Sequence, residues 1–157
     1  MNWLLVRIQS YLLGASRGES KISPELVKEF QELCGKALDR QFNQKRDDWR
    51  LRMSEVGKPL CQQKLKKKGI KQEYEYNAVM RFLIGDLMEA LAMVIMKAAG
   101  IKIQEFQKEV SMKIANINLQ GTYDVKIEDK IYDIKTASPY AFDSKFGEWG
   151  GYNKIKE

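Results

Sequence analysis

Gly100 divides this chain by its grammar. Before it, from Ala78 to Ala99, apolar residues run with helical density; after it, apolar and polar residues alternate. A 3.6-residue period buries nothing coherently as a strand, and a two-residue period buries nothing coherently as a helix, so a chain holding both in succession builds helices first and strands second. Gly100 itself suits the left-handed residue that closes a helix. The 78–99 run is long enough to consider as a membrane span, but it carries Arg81, Asp86, Glu89 and Lys97, and central acids are costly in lipid. A helix buried in protein is the expectation.

The earlier chain reads as further helices. Ser23-Pro24-Glu25 combines a cap, proline at the first helical position and an acid in the first turn. Helical spacing then continues to about Arg52 through Leu26, Phe30, Leu33, Ala37, Phe42 and Trp49. Gly57-Lys58-Pro59 breaks the pattern, and a short helix from Leu60 to about Lys67 stops at Gly69. The apolar start of the chain is interrupted by Arg7 and Gln9 with no charged region ahead of it, which fits a packing helix better than an export signal. Strands are predicted over Val110–Ile117, Leu119–Ile127 and Ile131–Thr136. Glu128-Asp129-Lys130 connects the last two as a hairpin, and Pro139 ends the strand region. With 157 residues, no repeat and no linker, one α+β domain is expected over 1–157. It comprises a helical N-terminal half, then a small mixed β-sheet with a buried helix carrying Glu89 packed on it.

Two absences narrow the chemistry. The chain has no histidine, which excludes Ser-His-Asp and Cys-His catalysis, HNH-type nucleases and zinc sites built on imidazole. Its two cysteines, Cys34 and Cys61, are too few for a four-thiolate site and suggest a reducing compartment. Charge is uneven: residues 36–71 hold twelve basic side chains against four acids, a net of +8 in a chain whose total is +6. Lys64, Lys66, Lys67 and Lys68 are the densest part, with Arg46, Arg50 and Arg52 ahead of them. A solvated helix face would explain this; so would a phosphate-binding surface, which the segregation of the acids favours.

Three short segments carry the remaining chemistry. Glu89 sits in the apolar helix, where an ionised carboxylate needs a partner such as Arg81, a wet stripe or a metal. Asp124 follows Gly121-Thr122-Tyr123 in one predicted strand, and Asp133-Ile134-Lys135 lies in the next, although Asp is unfavourable in strands. Asp133 and Lys135 share a face by alternation. Asp124 joins them if the connecting loop has an even number of residues and faces away if the number is odd. Oxygen ligands beside one ammonium suit Mg²⁺ or Mn²⁺, and a divalent cation polarises phosphoryl oxygens and activates water without any imidazole.

Glu89, Asp124 and Asp133-Ile134-Lys135, in the order helix, strand, strand, resemble the PD-(D/E)XK nuclease signature, closest to its RecB-type and lambda-exonuclease-like branch of phages and bacterial recombination. The segment from Arg52 to Cys61 resembles that branch's upstream Ser/Gly element, where the chain approaches DNA. The resemblance implies a restriction-endonuclease core and a Mg²⁺- or Mn²⁺-dependent deoxyribonuclease, an exonuclease in phage or recombination DNA processing. Asp124, Asp133 and the Ile134 carbonyl would then be metal ligands, Glu89 would hold a second metal or its water, and Lys135 would activate the attacking water. Gly121 would permit close backbone approach, and Arg52, Ser54, Arg81, Thr136 and Ser138 would contact DNA. Related iron–sulfur nucleases use four cysteines, so no iron–sulfur cluster is expected. The branch usually places a helix with Gln and Tyr after the D-x-K strand; only 22 residues follow Lys135 and that Gln is missing, which reads as either a C-terminally shortened domain or a different arrangement of the DNA-binding elements. The implied setting is the cytoplasm, of a bacterial host if the chain is phage-encoded, with DNA as partner, no membrane, and a homo-oligomeric ring by likeness to the lambda-exonuclease-like members. The alternatives are a non-catalytic DNA-binding module retaining the fold, a DNA-junction endonuclease, and a basic structural protein whose acids only pair with lysines.

Overall fold

A computed structural model describes residues 3–43, 50–70 and 73–146. Its elements run α1 (Trp3–Ser16), α2 (Pro24–Phe42), a 3-10 turn (Met53–Glu55), α3 (Leu60–Lys67), α4 (Tyr76–Ala98), β1 (Glu105–Ile114), β2 (Ile117–Ile127), β3 (Lys130–Tyr132) and α5 (Pro139–Phe146). The class is α+β, as the change at Gly100 requires.

The helix ends follow the local chemistry. The Ser23 hydroxyl accepts from the Leu26 N–H and Pro24 opens α2. At the end of α4, Gly100 adopts φ 76° and the Ile101 N–H reaches back to the Met96 carbonyl, the double-bonded closure that satisfies the last orphan acceptors. Helix α2 ends at Phe42, short of the expected Arg52. Arg46 and Trp49 lie outside the described residues, and Arg52 has extended backbone.

The sheet corrects the expectation of a mixed one: all three strands are antiparallel in the order β1-β2-β3. The parallel pairing among the described residues is a single bridge between Arg52 and Gln120. Strand β3 is also shorter than expected. It stops at Tyr132, so Asp133-Ile134-Lys135 lies just past the ladder instead of inside it.

Helix α4 is not enclosed on all sides, a second correction. It buries Ala90, Met93, Val94 and Met96, while Met80, Phe82, Ile84 and Met88 remain exposed. Met96 packs with Ile101, Val125 and Ile127 to form the core, flanked by Leu4 and Ile8 of α1 and by Tyr132 and Ile134. Helices α2 and α4 lie antiparallel, joined by Lys97 Nζ to Glu29 Oε1 at 2.5 Å and by Arg40 and Gln41 to Asp86. None of the described helices is long and apolar enough to cross a membrane.

Candidate active site

The β2–β3 connection decides whether the carboxylates meet. Val125 pairs with Tyr132, Lys126 with Ile131 and Ile127 with Lys130, leaving a two-residue loop of Glu128 and Asp129. Both have positive φ, 49° and 62°, the twist that matches a right-handed hairpin. The loop is even. Continued one step past its last pair, the same register would set Asp124 opposite Asp133, with both carboxylates on one face.

Past Tyr132 the backbone ladder is replaced by a side chain. The Ile134 N–H donates to Asp124 Oδ2 at 2.6 Å, satisfying a backbone donor that has left the sheet and fixing the carboxylate against the D-x-K segment. The Asp124 and Asp133 carboxyl groups are close enough to raise the cost of ionising Asp124. Lys135 Nζ donates to Asp133 Oδ1 at 2.7 Å. Burial and the neighbouring Asp133 push the Asp124 carboxyl above the usual range, against the pull of the Ile134 N–H and Lys135. Its bond to Asp133 raises the Lys135 ammonium, with Asp124 and Glu89 adding to the effect, so the lysine is charged.

Glu89 approaches from α4, half-buried. Its partner is Gln107, whose Nε2 donates to Glu89 Oε2 at 2.9 Å. The salt bridge to Arg81, one of the readings open for this glutamate, is not formed: Arg81 Nε donates to the Asn77 carbonyl at 3.2 Å, one turn back on the same helix. Burial raises the Glu89 carboxyl, Asp124 and Asp86 raise it further, and Gln107 and Lys135 oppose them. Glu89 thus lies within electrostatic reach of Asp124 and Lys135, and both of these reach Asp133.

A second ring of side chains has no signature in the sequence. Gln107 lies in β1 at φ 45°, and pairing of β1 with β2 skips it while the register continues on both sides. Its Oε1 accepts from Arg40 Nη2 at 3.1 Å, Arg40 Nη1 lies 3.6 Å from Asp86 Oδ1, and Asp86 Oδ2 accepts from Gln41 Nε2 at 3.0 Å. Glu89 is therefore held by a chain of contacts running back to α2. Residue type gives no hint of this, because both the backbone departure of Gln107 and the reach of Arg40 are tertiary.

The remaining candidates separate. Arg52 and Ser54 lie beside β2, where the Gln120 N–H donates to the Leu51 carbonyl at 3.1 Å and Met53 packs against Gly121. A Cβ at Gly121 would come within 2.8 Å of Met53 Cγ, so this glycine admits the Met53–Glu55 turn to the strand three residues before Asp124. Ser138 caps α5, its hydroxyl accepting from the Ala141 N–H at 3.2 Å. Thr136 is exposed between the D-x-K segment and that cap. Arg81 faces its own helix.

Among the described residues, no three carboxylate or thiolate groups stand close enough to share one ion. Mg²⁺ nevertheless suits this donor set, because it usually takes one or two carboxylates and keeps several waters. Asp124 and Asp133 supply that number and kind of ligand. Compared with protein-family models, with curated proteins and with solved structures, the chain gives no match.

Proposed function

We propose that the chain is a Mg²⁺- or Mn²⁺-dependent deoxyribonuclease with a PD-(D/E)XK-type site, acting as an exonuclease in phage or recombination DNA processing. The observation that carries the reading is the even β2–β3 turn, which sets Asp124 against Asp133-Ile134-Lys135 with Glu89 in electrostatic reach. Two neighbouring carboxylates, one with its charged form disfavoured, are a natural seat for a hard cation. Bound there, the cation would polarise a phosphoryl oxygen and acidify water.

The protein's own groups would do the rest. Asp124 and Asp133 bind, with Asp124 held in aim by the Ile134 N–H. Lys135, kept protonated by Asp133, acts as a fixed positive charge toward the phosphate and orients the attacking water; it is not a proton acceptor. Glu89, whose carboxyl is raised, can take a proton from water on its side of the site.

The test is release of nucleotides from end-labelled duplex DNA with Mg²⁺ or Mn²⁺ and with EDTA. Cleavage is expected with metal alone, and Lys135→Ala should lower it by about 10²–10³. Metal-independent cleavage, or full activity in Lys135→Ala, refutes the proposal. The Lys135–Asp133 ion pair favours one competing reading, a non-catalytic DNA-binding module in which the lysine replaces the metal. That reading predicts salt-sensitive DNA binding and no cleavage under either condition.

A further inference from the structure

We propose that the free edge of β1 is a self-association surface, at which a second copy of this chain pairs antiparallel about a two-fold axis through Ser111. The sheet order β1-β2-β3 leaves one edge of β1 open, and among the described residues no strand or bridge lies on it. The strand is ten residues long and exposed from Lys108 to Ile114, a ready template for another strand. Which backbone groups face the opening follows from a neighbouring bond. Gln120, the cross-strand partner of Ser111, turns its N–H away from β1 to the Leu51 carbonyl. In an antiparallel ladder both members of such a pair turn outward. Ser111 therefore presents its N–H and carbonyl to the open edge, and Glu109 and Lys113 do the same by alternation.

Charge selects both the occupant and the register. A lone lysine on an edge deters pairing. A two-fold axis at Ser111, however, sets Glu109 opposite the partner's Lys113 and Lys113 opposite the partner's Glu109, two opposite-charge pairs from one strand. Centring the axis on Glu109 or on Lys113 would set like charges against each other. Centring it on Val110 or Met112 would leave Glu109 facing Ser111 or Ala115. Among the described residues, neither Glu109 nor Lys113 forms a salt bridge within its own chain, so both are available to a second copy.

The same axis joins two apolar strips. Val110, Met112 and Ile114 share one face of β1, with Ile117 beside Ile114 on β2, and all four are 41% to 56% exposed. Pairing about Ser111 places Val110 opposite the partner's Met112 in the non-hydrogen-bonded kind of pair, which brings side chains closest. Each strip is then continued by the other copy instead of ending in water. The seam runs from Glu109 to Lys113 and stops short of Gln107, so it spares the contact that holds Glu89. The inference does not rest on the nuclease reading.

The test is sedimentation equilibrium of the full chain from about 1 μM to about 1 mM, with neither metal nor DNA. A monomer–dimer equilibrium is expected. Glu109→Lys and Lys113→Glu each put like charges at both contacts and should raise the dissociation constant by about tenfold or more. Mixing the two variants restores opposite charges at both contacts, as does combining the substitutions in one chain, and both should recover association close to that of the wild type. Recovery in the mixture also guards against misfolding, because an unfolded variant cannot complement its partner. Lys102→Glu, the same charge change in the loop ahead of β1, should leave association unchanged. A wild type that stays monomeric, single variants that associate as well as the wild type, a mixture no tighter than its components, or equal weakening by Lys102→Glu would each overturn the proposal.

Discussion

A divalent cation proposed at Asp124 and Asp133 would compete with Lys135 for the same partner. The ammonium bonds Asp133 Oδ1, one of the two carboxylates proposed as metal ligands. Removing it leaves two adjacent carboxylates less compensated. Lys135→Ala should therefore bind Mn²⁺ at least as tightly as the wild type by calorimetry, while cleaving far less; weaker binding would show that the lysine supports the ligands instead of competing with the ion. Glu89 permits a second measurement. Its carboxyl is raised in the fold, mainly by burial, so the folded state holds its proton to higher pH than the unfolded chain does. The resulting destabilisation is absent below the unfolded value of about 4.3 and grows with pH until it is complete above the raised folded value. Glu89→Gln keeps an acceptor for Gln107 and removes the charge. Its melting temperature should exceed the wild type's at pH 8, and the difference should vanish near pH 4. At this scale the charged residues were legible, because Asp in strands and Glu in an apolar helix are out of place by type. Gln107 and Arg40 were not, since nothing about a glutamine or an exposed arginine marks its tertiary partner.

Among the elements, the Glu128-Asp129 turn matters most to the site. Both residues sit in the left-handed region without being glycine, at about 1–2 kcal/mol each. Asp129 recovers part of this through Lys126 at 3.0 Å and Gln104, but no partner of Glu128 is described. Glu128→Asn, which tolerates this backbone better, should stabilise the fold by up to about 1 kcal/mol in urea melts. Inserting one glycine between Glu128 and Asp129 should abolish cleavage with the far-UV spectrum intact, whereas inserting two should restore part of it. Equal activity in both insertions would dissociate function from the register. Element boundaries were readable where caps are explicit, as at Ser23, Gly69 and Gly100. Helix α5 shows the limit: Ser138-Pro139 is the same signal that opens α2, yet proline after a strand reads first as a stop. The shortness of β3 had no signal, because Asp133–Thr136 alternates as a strand would and leaves the ladder only through the Asp124–Ile134 bond.

At the scale of the molecule, part of the basic stretch reaches the carboxylates: Arg40, within residues 36–71, stands on α2 against Asp86 of α4. The arrangement of α2 against α4 bears on the site although α2 holds none of the proposed chemistry. Arg40 touches Asp86 of α4 and Gln107 of β1 at once, and Gln107 holds Glu89. Arg40→Ala should reduce cleavage by about 10–100-fold, the usual cost of losing an outer partner, with little change in Mn²⁺ affinity at Asp124 and Asp133. An equal loss of both would place the arginine's effect on folding. The coarse architecture, helices then strands, followed from periodicity alone, whereas which helix braces which carboxylate depended on packing that no period encodes.

The Arg40 linkage also limits how portable the site can be. A fragment beginning at residue 73 would retain Glu89, Asp124, Asp133 and Lys135, and by composition would look self-sufficient. It would lack the guanidinium that steadies Gln107, leaving a strained residue and a loosened glutamate where the intact protein has a buttressed one. Grafting the carboxylates onto another scaffold would therefore transplant the reagents without their alignment.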